Sequence, residues 1–212
     1  MGTVETAAGL FRAAWAIALH EMPDAELAEG EAAIGNLVQA IRGRVQSHSP
    51  EAVLAHLHDV MFDVLDFQGN AEDYYNPGNS YLPEVLRSRR GLPITLVLVY
   101  RRVAADLGLT VHGINAPGHF LAEVALDPAG TGPPMYVDPF FGGGLLTPAE
   151  VFARIAETTG RAVEPSPHLL ARATGAQWLR RMLHNLQGIF AAAGRDRDLY
   201  AMQELEELLR QN

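Results

Sequence analysis

Gly91-Leu92-Pro93-Ile94-Thr95-Leu96-Val97-Leu98-Val99-Tyr100-Arg101-Arg102-Val103-Ala104-Ala105-Asp106-Leu107-Gly108 is the stretch whose reading decides how this chain folds. From Ile94 to Leu107 it is almost wholly apolar, and its valines alone would suit a strand. Its length and the placing of Arg101, Arg102 and Asp106 favour a buried helix instead, closed by Gly108. Gly91-Leu92-Pro93 reads as the break before that helix, and a short helical stretch around Leu82–Ser88 precedes the break.

Toward the N-terminus, Gly69 to Ser80 is a turn-rich connection centred on Asn76-Pro77-Gly78-Asn79. The first seventy residues carry helical periodicity. Leu10, Phe11, Ala14, Trp15, Ile17 and Ala18 form one apolar face, and Ile34, Leu37, Val38, Ile41 and Val45 a second. A third helix starts at Ser49-Pro50, a cap followed by proline at the first helical position. Its spacing predicts that Val53, Leu54, Leu57, Val60, Met61 and Val64 are buried.

Beyond Gly108 the pattern changes to short β-rich runs, Val111–Asn115, Phe120–Leu126 and Met135–Val137, separated by Pro/Gly turns. These predict three strands in one antiparallel sheet. Thr147-Pro148-Ala149-Glu150 then restores helix with a cap, a first-position proline and a glutamate three residues after the cap. Two amphipathic helices follow, Gln177–Ala192 and about Asp196–Leu209, joined at Gly194-Arg195. In this pairing Leu179, Leu183, Leu186, Ile189 and Phe190 answer Leu199, Met202, Leu205, Leu208 and Leu209. The pair has the length of one tetratricopeptide unit, and a single unit is not an array.

The chain has 212 residues, 48% of them hydrophobic, and a formal net charge of −9. That charge argues against binding a phosphate backbone, so no nucleic-acid partner is expected. Arg87-Ser88-Arg89-Arg90 and Arg180-Arg181 are short basic runs that read as solvated faces or ion pairs. No run of eighteen apolar residues offers a membrane span, and Met1-Gly2-Thr3-Val4-Glu5 lacks the basic region of a signal peptide. Composition therefore predicts a cytoplasmic protein. With no cysteine at all, disulfides, thiolate metal sites and thiol nucleophiles are excluded together.

Against that absence stand His119, in Gly118-His119-Phe120, and Asp138, in Tyr136-Val137-Asp138-Pro139-Phe140. An imidazole on one strand and a carboxylate on the next is how a cysteine-protease-like fold orients its base, and a base with its orienter implies a nucleophile. The pair has an equally direct structural use, as a hydrogen bond locking two strands beneath the core helix. A metal reading would draw on His112, His119, Asp127 and Asp138. Yet His112 and His119 need not face one side, and His56 and His58, two apart on a helix, diverge. His20, His48, His168 and His184 are scattered. No metal or cofactor is expected. Gly142-Gly143-Gly144 does not open a phosphate-binding helix.

Several separated motifs, in order, closely resemble the SirB1-type transglutaminase-like proteins. They are Asn76-Pro77-Gly78-Asn79-Ser80-Tyr81-Leu82, Glu84-Val85-Leu86 and Arg90-Gly91-Leu92-Pro93-Ile94-Thr95-Leu96. To these are added Gly113-Ile114-Asn115, Pro117-Gly118-His119-Phe120-Leu121, Val137-Asp138-Pro139-Phe140 and Arg181-Met182-Leu183-His184-Asn185-Leu186. The resemblance runs from about Leu54 to the C-terminus. It implies a bacterial group with an α+β, transglutaminase-like core, a buried helix on a small antiparallel sheet of about three strands, and a C-terminal tetratricopeptide-like segment. A related core also occurs in a eukaryotic F-box protein, from which an interaction role is implied. The expected organisation is residues 1–70 as helices packed on the core, 71–165 as the core, and 166–212 as a helical hairpin.

The resemblance places His119 at the superfamily's catalytic histidine and Asp138 at its aspartate. Pro93, Ile94 or Thr95 stands where the nucleophilic cysteine would be, and only Thr95 carries a usable heteroatom. A threonine alcohol is far less acidic than a thiol. In the first turn of a helix it also has a competing use as a cap or a bond to nearby backbone. The leading expectation is therefore a non-catalytic protein that binds a protein or peptide partner through the core groove and terminal hairpin. The alternative is a hydrolase or acyl-transferase in which His119 and Asp138 activate Thr95 or a water. A purely structural or regulatory subunit is the third.

Overall fold

In a computed structural model of the chain, residues 4–47, 49–127, 132 and 134–211 are described. The readings made on residues 1–3 and on His48 lie outside them. The helices are α1 (Ala7–Ala18), α2 (Leu27–Arg42), α3 (Pro50–His58), α4 (Leu82–Ser88), α5 (Pro93–Asp106), α6 (Pro148–Thr159), α7 (Gly175–Ala192) and α8 (Asp196–Gln211). The strands are β1 (Gln68–Gly69), β2 (Arg90–Gly91), β3 (Thr110–Ile114), β4 (Leu121–Ala125), β5 (Met135–Asp138) and β6 (Gly144–Leu146). The architecture is α+β.

The long apolar segment is the helix α5. Leu92 stays extended before it, Pro93 occupies the first turn where no N–H is needed, and Gly108 closes the segment at φ +86°. Ten of its residues are buried: Pro93, Ile94, Thr95, Leu96, Val97, Leu98, Val99, Tyr100, Val103 and Ala104. Its valines would favour a strand locally, but burial on nearly every side rewards packing over propensity. The sheet β3-β4-β5-β6, antiparallel throughout, packs one face on α5. Its other face meets α6 in a smaller core of Ile114, Leu121, Tyr136, Val151 and Ile155. Helices α1, α2 and α4 cover α5 elsewhere. Helix α7 joins the core at Trp178, whose indole N–H donates to Ile94 O at 3.3 Å and whose ring lies 4.6 Å from that of Phe120.

Local signals place most elements well. The α4 span and the capping box of Thr147 and Glu150 occur as read. Several expectations are refined or change. The sheet has a fourth strand, β6, reached through Gly142 and Gly143, both at positive φ. Three residues beginning with glycine are too few to show an alternating pattern. The turn-rich connection also begins with a strand, β1, paired in parallel with β2.

Val64 is 51% exposed, not buried. After His58 the chain winds as a π-helix over Asp59–Val64, with Leu65 N donating to Val60 O at 3.0 Å. The wider turn carries Phe62 inward and Val64 out of register with the α-helical face. Leu208, expected in the hairpin seam, is 56% exposed, because α8 packs mainly on α7 alone. Val45 is half-buried past the end of α2.

Gly113 in β3 lies directly against Trp178 of α7. A Cβ there would run into the Trp178 ring and lie 2.7 Å from Phe120, both fully enclosed. Gly113→Ala is expected to destabilise the fold by about 1–3 kcal/mol, the usual penalty for overpacking. Urea denaturation followed by circular dichroism measures this, and an unchanged midpoint would contradict the packing described.

Candidate functional site

His119 precedes β4 in a turn made by Gly118 at φ +68°, and its backbone N–H donates to Ala116 O at 3.2 Å. Asp138 ends β5. Because β4 and β5 run antiparallel with Ala122 opposite Val137, the approach to β4 and the end of β5 meet at one end of the sheet. There His119 Nε2 lies 3.0 Å from Asp138 Oδ2, with both residues buried. The carboxylate accepts, so Nε2 is the N–H of the ring and Nδ1 its other nitrogen. Nδ1 makes no hydrogen bond among the described residues. Asp138 Oδ1 accepts from Phe140 N at 3.2 Å, which starts the 3₁₀ turn Pro139–Phe141. Arg154, from α6, brings its Nε to 3.5 Å from Oδ2. One buried carboxylate thus answers an imidazole, a guanidinium and a backbone amide.

Thr95 is elsewhere engaged. It is wholly buried, and its hydroxyl lies 2.8 Å from Asn79 O and 3.0 Å from Leu92 O, two carbonyls that can only accept. Its one hydrogen is therefore committed to backbone. Gly91 walls it in, since a Cβ at that position would sit 2.8 Å from Thr95 Oγ1. The structure brings His119 and Asp138 together and does not hydrogen-bond Thr95 to either.

Asn79, read from sequence as a turn residue, is the hub at the start of α5. Its carbonyl accepts from both Thr95 Oγ1 and Leu92 N. Its amide donates to Asp73 O at 2.7 Å and Tyr74 O at 3.1 Å, and its Oδ1 accepts from Asn70 at 2.9 Å. This ties the turn-rich connection to the helix start and positions Tyr74 and Tyr75.

Those tyrosines belong to a row of rings at the mouth of the pair. Tyr74 lies 5.4 Å from Tyr75 and 6.0 Å from Phe140, Phe140 lies 5.1 Å from Phe141, and His119 is 6.1 and 6.0 Å from the two phenylalanines. Arg154 stacks 3.9 Å above the Phe141 ring. Tyr75 is 77% and Phe141 48% exposed. Gly69 of β1 lets Phe140 lie flat on the backbone, where any side chain would strike the ring. Burial raises the Tyr74 phenol above its ordinary range, an effect Arg181 opposes. Sequence reasoning missed Arg154, which no local pattern links to Asp138. It also missed the rings, although two adjacent aromatic pairs in turn segments were a usable signal.

His112 stands across from Glu123 in the β3–β4 register, where Arg172 donates to Glu123 at 2.9 Å. Among the described residues no three His, Asp or Glu side chains converge as metal ligands. The basic runs are largely paired: Arg87 with Glu84, Arg90 with Asp66, and Arg181 with Asn115 and Ala116 O. No described helix is long and apolar enough to cross a membrane.

A helix buried against an antiparallel sheet, with an imidazole and carboxylate joined at the sheet's end, defines a transglutaminase-like frame. The chain belongs to the transglutaminase-like superfamily, whose family model matches residues 28–184. Within it this is a member without cysteine. It is 32% identical over 191 residues to a UPF0162 protein of Xylella fastidiosa, covering 88% of this chain and 66% of that one. To UPF0162 protein PA3419 of Pseudomonas aeruginosa it is 29% identical over 190 residues, 87% of this chain and 66% of that one. It is also 31% identical over 147 residues to human F-box only protein 21, covering 68% of this chain and 22% of that one. The match therefore spans just under two thirds of the bacterial relatives' length. No solved structure matches the chain significantly.

Two predictions follow from the histidines and their partners. His58, packed between Phe62 and Tyr100 with Nε2 2.9 Å from Tyr100 Oη, is pushed down by burial from 6.5 to about 4. It stays neutral in the fold while the unfolded chain takes up a proton below its ordinary pKa. Its contribution is therefore intact above pH 6.5 and is lost as pH falls toward 4, by roughly 3 kcal/mol. Urea titrations across this window should show the loss in the native chain and a shallower one in His58→Gln. Separately, Asp138→Ala strands His119 and Arg154 and is expected to cost about 3–5 kcal/mol, with Asp138→Asn costing less because it keeps an acceptor. Equal midpoints for the two variants would remove the structural role assigned to this carboxylate.

Proposed function

We propose that this protein is a binding module on a transglutaminase-like core, which holds a segment of another protein at the aromatic mouth above the His119–Asp138 pair. The observation that carries this reading is the engagement of Thr95. The chain has no thiol, and the one alcohol near the superfamily's nucleophile position spends its hydrogen on Asn79 O and Leu92 O. Turning it away would strip a fully buried hydroxyl of both its acceptors, at about 1–3 kcal/mol, before any chemistry began. Asp138 is likewise shared with Arg154, an arrangement suited to holding a turn in place.

The mouth has the character of a recognition surface. Exposed Tyr and Phe rings braced by a stacked Arg are the residue types that dominate binding energy at protein interfaces. Phe140 and Tyr74 are backed by buried structure, so the surface is preorganised. Helix α7 braces the same site through Arg181, which reaches the turn before His119 at Ala116 O.

A second reading keeps one observation in its favour. His119 Nδ1 has no hydrogen bond, so the ring retains an acceptor that could take a proton from a water attacking a bound ester or amide. In that version His119 is the base, Asp138 orients it and Thr95 is structural.

The two separate cleanly. On the binding reading, proteins that co-purify with the chain from its native cell are lost with the Tyr75→Ala/Phe141→Ala double variant, while circular dichroism is unchanged. They are retained with Thr95→Ser. Turnover of amide or ester substrates that disappears with His119→Ala, alongside partners indifferent to the double variant, would establish the hydrolytic reading instead.

A further inference from the structure

A groove unrelated to the His119–Asp138 pair runs between α2 and α4. Its first part is a cavity of about 660 Å³ whose apolar walls include Trp15, Met22, Gly30, Ala33 and Leu86. A second cavity, about 340 Å³, is walled by Ala33, Leu37, Ala40, Phe67 and Leu86. The two share Ala33 and Leu86 in their walls and so adjoin one another. Ala33, Leu37 and Ala40 recur every three or four residues, forming one stripe of α2. From Ala33 to Ala40 this stripe is roughly 10 Å long, about two helical turns. The buried side of α2 is Gly30, Ile34, Val38 and Ile41, with Gly30 packed beneath the Trp15 ring.

Charge distinguishes the two ends. Glu21, Asp24 and Glu29 line the first cavity, and Arg89 lines the second. Arg87 lies at the first cavity too, but Glu84 holds it at 2.9 and 2.6 Å. Glu21 is engaged by Arg195 at 2.5 Å. Asp24 and Glu29 are exposed and have no ion-pair partner among the described residues. Between Arg12 and Arg42 the chain has no Lys or Arg, yet it carries Glu21, Asp24, Glu26, Glu29 and Glu31. The rim therefore presents uncompensated negative charge beside an apolar floor.

We propose that this groove seats an amphipathic helix of a partner protein, with its apolar face on the α2 stripe and arginine or lysine at the end over Asp24 and Glu29. The small residues of the stripe let a helix approach closely, in the helix-in-groove manner, and the unpaired carboxylates select a cationic end. A second copy of this chain fits less well, since each copy carries −9 and like-charged surfaces repel. The acidic rim also disfavours an acidic peptide.

The test uses the full chain and two synthetic helical peptides of about 14 residues, which is just under four turns. Both carry the same Leu/Ala face, one ending in three arginines and the other in three glutamates. Binding is read by anisotropy of a peptide label and by tryptophan emission in a Trp178→Phe background, which leaves Trp15 in the groove as the emitter. The arginine peptide is expected to bind in the micromolar range. Its affinity should fall about tenfold or more with Asp24→Asn/Glu29→Gln and with Ala33→Leu, and should weaken with salt, as a charge-selected site requires. The charge variant alters only exposed side chains, so it keeps the test interpretable if Ala33→Leu fails to fold. Equal binding of both peptides, or affinity unchanged by the charge variant, overturns the proposal. So does sedimentation showing a dimer that Ala33→Leu dissociates, which would make a second copy the occupant.

Discussion

Helix α5 can exist only where apolar cover is supplied from several directions at once. Its buried residues run from Pro93 through Tyr100 without interruption and resume at Val103 and Ala104. Helices of this kind have no solvent face to offer, so the sheet must lie on one side and α1, α2 and α4 elsewhere. The first turn adds a polar demand inside that apolar setting. Leu92 provides no side-chain cap, and Thr95 brings a hydroxyl into full burial. Asn79 answers through its carbonyl, accepting from Leu92 N and Thr95 Oγ1 together. A loop residue is thereby made part of the core, and the tyrosines before it are held where they stand.

The same demand for satisfaction shapes the end of the sheet. Asp138 is buried with charged and polar partners on three sides: His119, Arg154 and the amide of Phe140. A carboxylate so enclosed is tolerated because each oxygen is occupied. At the start of α5 the hydroxyl of Thr95 is likewise committed, bonded to the carbonyls of Asn79 and Leu92. The result is a frame whose polar pair secures the turn carrying Phe140 and Phe141, so stability and surface display come from one set of contacts.

How legible this was differs by element. Gly108, the Leu82–Ser88 helix and the Thr147 capping box are local features whose physics lies within a few residues, and each stands where the pattern put it. Val64 differs from its spacing because the chain winds as a π-turn there, with Phe62 packed against Tyr100 and Gly143, distant residues that local periodicity does not include. Strand β6 escaped notice because its three residues become a strand only by pairing with β5. The meeting of His119 with Asp138 is readable as complementary groups on neighbouring β-rich runs, although His119 stands in the turn before β4 and not on the strand itself. The arrival of Arg154 on the same oxygen is not readable, since α6 reaches it by crossing the sheet's outer face.

What the amino-acid order determined by itself was the set of elements and the chemistry excluded: a helix too apolar for the surface, β-rich runs after it, and no sulfur nucleophile anywhere. Periodicity, caps and composition act over a few residues and survive in any context. Tertiary structure alone decided what each polar group does. Whether the hydroxyl of Thr95 points to a histidine or to a carbonyl, and whether Tyr75 and Phe141 are buried or displayed, depends on which distant segments are brought alongside. Hydrogen bonds and desolvation are settled at contact distance, and sequence separation does not measure that.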